Sequence, residues 1–264
     1  MKKRRTGRRL ATQKTKSYSI PWYRKVFGED YLKIYPHRNG PEASLHVDFA
    51  IEKLHLLSGQ RVLDLGCGNG RHSIRLAEKG LRVVGLDLSN FLLRLAENSA
   101  RTKNLPVHFI RGDMRQIPFP PVFDAVCSFF TSFGYFDAEE ENSKVIQSVA
   151  STLVPGGLFF LDFFNVQYTL SHLVRQDSSE KNGIRLVQRR KFNERTFRIE
   201  KKIVIHESDR SREYRESVRA YGGAEIGSLF ADAGLTCIAT YGDYDGTPFN
   251  QNSPRLIMIG RKGG

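Results

Sequence analysis

Two carboxylates, Asp64 and Asp87, stand 23 residues apart and bracket a run of glycines, Gly66-Cys67-Gly68-Asn69-Gly70. A short apolar run, Val62-Leu63-Asp64-Leu65, leads into the glycines, and a helical pattern carrying Ile74, Leu76 and Ala77 leads out. A turn of that kind lets a ligand approach the backbone closely and sets it at the positive end of a helix. A dinucleotide site in the same place reads G-x-G-x-x-G with an apolar residue leading in, because a pyrophosphate tolerates no carboxylate beside the helix start. Here an acid stands two residues before Gly66 and the third glycine arrives one position early. That combination suits a ligand with positive charge and no phosphate. Asp87 ends the following strand, where an acid takes the hydroxyl pair of a ribose in this architecture. The chemistry asked of these residues is therefore to hold a nucleoside that carries a cationic tail.

The elements that must position them alternate. Residues 61–65, 83–87, 107–110, 123–129 and 158–163 read as strands by their short apolar runs. Helices are expected from residue 42 to 57, after the glycine loop to Gly80, over 90–100 behind the N-cap Ser89, and from Asp137 to Leu153. Pro155-Gly156-Gly157 turns the last of these into the fifth strand. Strands alternating with helices imply right-handed crossovers and a parallel sheet covered on both faces. After Phe164 the pattern changes. Residues 184–192, 197–205 and 213–221 interleave β-branched and aromatic residues with Arg and Lys, which predicts three antiparallel strands. A helix over 224–233, a strand over 236–241, a long turn from Gly242 to Pro248 and a last strand over 255–260 complete the α/β unit.

In its motifs the sequence resembles the class I S-adenosylmethionine-dependent methyltransferases, over roughly residues 42–164 and 222–262. Residues 62–70 and Val84-Gly85-Leu86-Asp87-Leu88-Ser89 are similar to the family's first two motifs, and Gly112-Asp113-Met114, Phe123-Asp124-Ala125-Val126 and Leu153-Val154-Pro155-Gly156-Gly157 follow in the family's order. The resemblance implies an α/β, doubly wound seven-stranded sheet in order 3-2-1-4-5-7-6, its last strand antiparallel, with a small antiparallel β insert. It implies S-adenosyl-L-methionine as cofactor, with Asp64, Gly66 and Gly68 along the methionine portion, Asp87 at the ribose, and Asp113 with Met114 at the adenine. Cys67, Leu88 and Phe129 belong to the same cofactor-binding set. The Tyr-rich segment before residue 42 is similar to the lid of small-molecule members, so Tyr35 and Arg38 are expected at the carboxylate end of the cofactor. Four parts follow: a basic tail over 1–16, expected to be disordered, a lid over 17–41, the methyltransferase domain over 42–164 and 222–264, and the insert over 165–221 as substrate lid.

The acceptor is harder to read, because displacement at a sulfonium gains mostly from alignment and exclusion of water, and needs a base only for a protonated acceptor. Cys127-Ser128-Phe129-Phe130-Thr131-Ser132-Phe133-Gly134-Tyr135 replaces the Asn/Asp-Pro-Pro-aromatic signature of nucleobase amino methyltransferases, and no second cysteine accompanies Cys127. The segment is similar to that of small-molecule N- and O-methyltransferases. Tyr135, Tyr244 and Asp245 are expected on the acceptor side, and His37 and His72 are candidate bases.

Charge offers the competing reading. Of a formal +13, residues 1–16 hold eight Lys or Arg and no acid, and residues 165–221 hold 14 against eight acids, which leaves the rest close to neutral. An RNA methyltransferase using the tail and insert is thus the alternative to a small-molecule enzyme, with nucleic acid as a possible partner. Three cysteines at wide spacing suggest neither a disulfide framework nor a zinc site. No apolar run reaches membrane-spanning length and no secretory signal is evident, so a cytoplasmic protein is expected.

Overall fold

The computed structural model describes residues 20–36 and 40–264. The basic tail, His37 and Arg38 lie outside the described residues. Among the described residues three helices come first: α1 (Trp22–Val26), α2 (Tyr31–Ile34) and α3 (Gly40–Leu54). Then β1 (Arg61–Leu65), α4 (Arg71–Glu78), β2 (Arg82–Asp87), α5 (Asn90–Thr102), β3 (His108–Arg111), β4 (Phe123–Ser128), α6 (Glu139–Thr152) and β5 (Leu153–Phe164) alternate as expected. The insert holds α7 (Val166–Ser171) and the strands β6 (Gln176–Lys181), β7 (Ile184–Asn193), β8 (Arg198–Glu207) and β9 (Arg210–Arg219). The chain ends with α8 (Gly223–Asp232), β10 (Leu235–Tyr241) and β11 (Arg255–Lys262).

Seven strands form one sheet in the order β10-β11-β5-β4-β1-β2-β3. Strands β1 to β5 pair in parallel, and β11 runs antiparallel to both β5 and β10. Counted within this sheet the order is 3-2-1-4-5-7-6, as the family resemblance implied. Alternation along β1 divides its side chains between two faces. Leu63 and Leu65 join the cluster under α6 and α8 with Val145, Ile146, Ile226 and Phe230, whereas Val62 joins Val47, Ala50 and Leu76 of α3 and α4 on the other face. Each of the larger of these side chains, the Val, Leu, Ile and Phe residues, contributes about 1.5–3 kcal/mol when fully buried, and this two-sided burial holds the carboxyl ends of β1, β2 and β4 side by side.

The insert is a separate antiparallel sheet in the order β6-β7-β8-β9, four strands rather than three. Its extra strand, Gln-Asp-Ser-Ser-Glu-Lys, is an exposed edge with no apolar alternation to betray it. Asn182 and Gly183, both at positive φ, make the tight turn that pairs it with β7. Two boundaries also differ from expectation. Ala138, not Asp137, precedes the first residue of α6. Pro155-Gly156-Gly157 lies within β5, where the pairing with β4 shifts register between Phe123 and Ala125. A third apolar cluster, with Tyr31, Ile34 and Tyr35 from the N-terminal segment and Leu186, Ile203 and Ile205 from the insert, joins these two parts to each other.

Candidate active site

The carboxyl ends of β1, β2 and β4 open into a cavity of about 360 Å³. Its floor is the glycine loop. Gly66 has φ +72, and a Cβ there would stand 2.9 Å from both Cβ and Oγ of Ser132, so only glycine brings the loops after β1 and β4 this close. Gly70 has φ +77, and its Cβ would meet Ala96 Cβ at 2.7 Å. The loop thereby packs on α5 and starts α4 directly behind the cavity.

Asp87 fixes the loop's shape. Gly68 N–H donates to Asp87 Oδ2 at 2.9 Å, and Ser89 N–H donates to Oδ1 at 2.8 Å. Burial pushes the Asp87 carboxyl up despite these donors. Asp64 does not reach the cavity lining: it is 1% exposed and accepts from Ser73 Oγ at 2.5 Å. Burial raises its pKa to about 7, so it stands under the loop as a carboxyl poised between its two protonation states near neutrality.

Of the residues expected from sequence, Gly66, Cys67, Gly68, Asp87 and Leu88 line one part of the cavity. Asp113, Met114, Phe129 and Tyr135 line another part. Asp113 is gripped by Arg115, which donates to Oδ1 from Nε at 3.0 Å and to Oδ2 from Nη2 at 2.6 Å and holds the carboxyl below its ordinary range. Tyr35 lies outside the lining; its hydroxyl donates to Glu216 and accepts from Lys201 Nζ at 2.9 Å, which ties the N-terminal segment to the insert. Tyr244 and Asp245 lie elsewhere too. Tyr244 is buried, with its ring stacked on His46 at 3.9 Å, and Asp245 is exposed, accepting from Thr247 N and Oγ1 at 2.9 and 2.7 Å. The physical reason is the turn itself, which folds back on β11 through Gly242 N–H to Thr247 O and Arg255 N–H to Gly242 O.

Sequence reasoning named the segment before residue 42 as a lid but singled out Tyr35 and Arg38, and missed the side chains of that segment that line the cavity as its roof. Tyr23, Arg24, Phe27, Gly28 and Tyr31 close over the cavity, and Ser89 Oγ donates to Phe27 O at 2.5 Å to pin them down. Aromatics at 23, 27, 31 and 35 recur every four residues, a helical spacing that could have announced one continuous aromatic face. Tyr135 joins it: its ring stacks on Phe27 at 5.8 Å and meets the edge of Trp22 at 5.0 Å. Arg198, 7% exposed, holds the Tyr135 loop by donating to the carbonyls of Gly134, Tyr135 and Phe136 and to Ser217.

His72 also lines the cavity. Its Nε2 lies 3.2 Å from His46 Nδ1, and its ring stacks on Phe129 at 4.3 Å. Burial lowers the His46 pKa to about 4, so His46 is neutral at physiological pH. Below this pair, Asp162 is fully buried, bridged to Arg255, and accepts from Phe130 N–H at 2.8 Å. Phe130 and Thr131, at φ +59 and +61, are thereby held in the left-handed region at the cavity wall.

A cradle with one ribose-type carboxylate, a glycine floor and a second acid held by arginine fits a nucleoside with a cationic tail. Among the described residues no group of His, Cys, Asp and Glu is arranged to hold a metal ion. Residues 62–157 match the methyltransferase domain family. The cypemycin N-terminal methyltransferase of Streptomyces sp is 39% identical over 106 residues, 40% of this chain and 42% of that protein; the chain spans less than half the length of the first curated relatives it matches. Among solved structures, an S-adenosylmethionine-dependent methyltransferase from Clostridium acetobutylicum ATCC 824 aligns over 89% of this chain and 96% of that one, with TM-score 0.76 and 21% identity. The sugar N-methyltransferase KedS8 from Streptoalloteichus sp ATCC 53650 aligns over 97% of this chain and 100% of its own, with TM-score 0.67 and 20% identity. At those identities the structural likeness is one of fold.

Proposed function

We propose that this chain, whose residues 62–157 match the methyltransferase domain family, is a class I S-adenosylmethionine-dependent methyltransferase that methylates a small-molecule acceptor at nitrogen or oxygen. S-adenosylmethionine, when bound, supplies an electrophilic methyl group on a sulfonium. Asp87 would accept hydrogen bonds from the ribose hydroxyls, Asp113 and Met114 would border the adenine, and Gly66, Cys67 and Gly68 would leave room for the methionine portion. Leu88 and Phe129 would add apolar walls. The observation that carries the reading is the enclosure of Tyr135. Its ring, packed by Trp22 and Phe27, ends the cavity where the roof meets the insert, so an acceptor entering there would be aligned by aromatic faces and stripped of water before transfer. His72 is the side chain suited to take a proton from an amine acceptor, held by neutral His46.

Two solved neighbours, the amino pentose methyltransferase CalS10 and the sugar N-methyltransferase KedS8, support a small acceptor. The RNA reading rests chiefly on the basic tail. Incubating the full chain with cofactor labelled at the methyl group, against a metabolite pool and against total RNA, separates the two. Label in a small molecule is the expected result, and label confined to RNA would falsify this reading.

A further inference from the structure

Beside the cofactor cavity runs a second, open groove of about 1360 Å³, between α1, the Tyr135–Asp137 loop and the insert sheet. Tyr23, Arg24, Tyr135 and Phe136 line both spaces, so the groove is the continuation of the methyl-transfer cavity toward the insert. Its lining carries ten basic side chains against five acidic ones.

The excess is built into the register of the sheet. Arg189 of β7 stands opposite Lys202 of β8, which stands opposite Arg215 of β9. Like charges placed directly opposite across neighbouring strands repel and cost stability. One carboxylate, Glu213, serves two of the three: it pairs with Lys202 at 2.7 Å and with Arg215 at 3.2 Å. Arg189 donates to the neutral Gln176 Oε1 at 3.0 Å. Arg24 and Arg175, also on the groove, make no ion pair with any described residue. The row is therefore short of negative charge on the side where an acceptor would approach Tyr135.

We propose that this groove binds a phosphate group carried by the methyl acceptor, remote from the accepting atom, through Arg24, Arg175, Arg189, Lys202 and Arg215. Several cations with one shared carboxylate match a dianion with three accepting oxygens better than a single carboxylate, and guanidinium groups offer paired donors to it. The proposal rests on the methyl-transfer reading above, and it places the phosphorylated end of the acceptor on the insert while the accepting atom lies at Tyr135.

The test uses inorganic pyrophosphate as probe, titrated calorimetrically into the full chain saturated with S-adenosylhomocysteine, so that the cofactor cavity is already filled. Saturable binding at one site is expected. The double variant Arg175→Gln with Arg189→Gln should weaken it about tenfold or more, while S-adenosylhomocysteine affinity stays unchanged. A control removing the same charge from α5, Arg94→Gln with Arg101→Gln, should leave pyrophosphate binding as in wild type. Equal weakening by the control, no saturable binding, or succinate binding as tightly as pyrophosphate would each overturn the proposal. So would an RNA oligonucleotide that outcompetes pyrophosphate at the same residues. Failure of S-adenosylhomocysteine to bind overturns the methyl-transfer reading instead, and is read out separately in the same titration.

Discussion

The two sides of the active site are built from different materials. The cofactor side is backbone and short side chains at the ends of parallel strands: Gly66 and Gly68 of the loop, and an Asp87 carboxylate held by two N–H donors. The acceptor side is long side chains on a separate sheet and a short helical segment, joined by ion pairs such as Asp30 to Arg212 and Lys33 to Glu207. Strand ends buried between two helical layers cannot shift without disturbing the core. Exposed arginines and lysines can be exchanged at little cost to the fold. Substitutions on the first side should therefore cost stability or cofactor affinity, and those on the second should alter the acceptor step alone.

The largest effect is expected at Gly70. An alanine there would adopt φ +77 and press its Cβ against Ala96 Cβ at 2.7 Å and Phe109 Cζ at 2.9 Å. Overpacking and left-handed strain together should cost about 3 kcal/mol, or roughly 10 °C in melting temperature for a chain of this size. Calorimetry of Gly70→Ala checks it; a melting point within a degree or two of wild type would mean that the loop after β1 gives way, and the rigid half of the comparison would be lost.

Next comes Asp87→Ala. It removes a carboxylate that orders Gly68 and Ser89 and faces the cavity. Charge-assisted bonds of about 1.5–3 kcal/mol correspond to roughly tenfold to a hundredfold in cofactor affinity. Titration of S-adenosylmethionine into the folded variant measures this.

Between the two sides lie His46 and Asp64, whose shifts oppose each other. The His46 pKa falls to about 4 in the folded state, so acidification from about 6.5 to 4 loads protons onto the unfolded chain first and stability falls. Asp64, raised to about 7, works the other way: its share of stability is lost as pH rises from about 4 through 7. His46→Phe removes the first slope and keeps a ring against Tyr244. The stability of wild type relative to this variant should drop by on the order of 2 kcal/mol between pH 7 and pH 4, measured by urea denaturation. A constant difference would place His46 in water.

How much of this was legible in the sequence follows the same division. The alternation of strands and helices and the loop residues Gly66, Gly68 and Asp87 could be read because strand ends and glycine turns demand residue types at fixed spacing, whereas the strand order came only with the family resemblance and Asp64, expected at the cofactor, stands buried beneath the loop. The insert was half legible. Ile203 and Ile205 mark β8, but β6 has no apolar face, and only Asn182-Gly183 signalled its hairpin. The roof was named as a lid through Tyr35, yet Tyr35 faces the insert and Tyr23, Phe27 and Tyr31 face the cavity. Which side of a short helix meets a ligand depends on its docking, and here docking is set by Asp30 with Tyr214 and by Ser89 with Phe27 O, contacts between residues far apart in the chain.

Arg198 tests whether the sides are coupled. Its guanidinium satisfies three carbonyls of the Tyr135 loop from a strand of the insert. Arg198→Met leaves those carbonyls without that donor at a cost of about 1–3 kcal/mol, and should lower turnover several-fold while cofactor affinity holds. If affinity falls as far as turnover, the loop serves both sides alike.

The smallest effects should come from Tyr244 and Asp245, although their turn follows a strand that ends on the cofactor side of the sheet. Asp245 is exposed, and both bonds to its Oδ1 come from Thr247, which lower its pKa and occupy it in closing the turn. Nothing aims that carboxylate at the cavity. Tyr244 packs its ring on His46 and Phe49, and its buried hydroxyl meets no described group in hydrogen-bond geometry; burial pushes its pKa up, and the nearby Asp162 carboxylate adds to the rise. Removing an unsatisfied hydroxyl while keeping the ring is close to neutral, because no bond is lost and the cost of burying the group is relieved. Tyr244→Phe and Asp245→Asn should therefore each keep turnover within about twofold of wild type, equivalent to roughly 0.4 kcal/mol of transition-state stabilisation for Tyr244. Single-turnover kinetics with the acceptor found by the labelling experiment decides it. A tenfold loss in Asp245→Asn with unchanged cofactor affinity would bring the turn over the cavity during catalysis, and would move this segment from the rigid side of the molecule to the adaptable one.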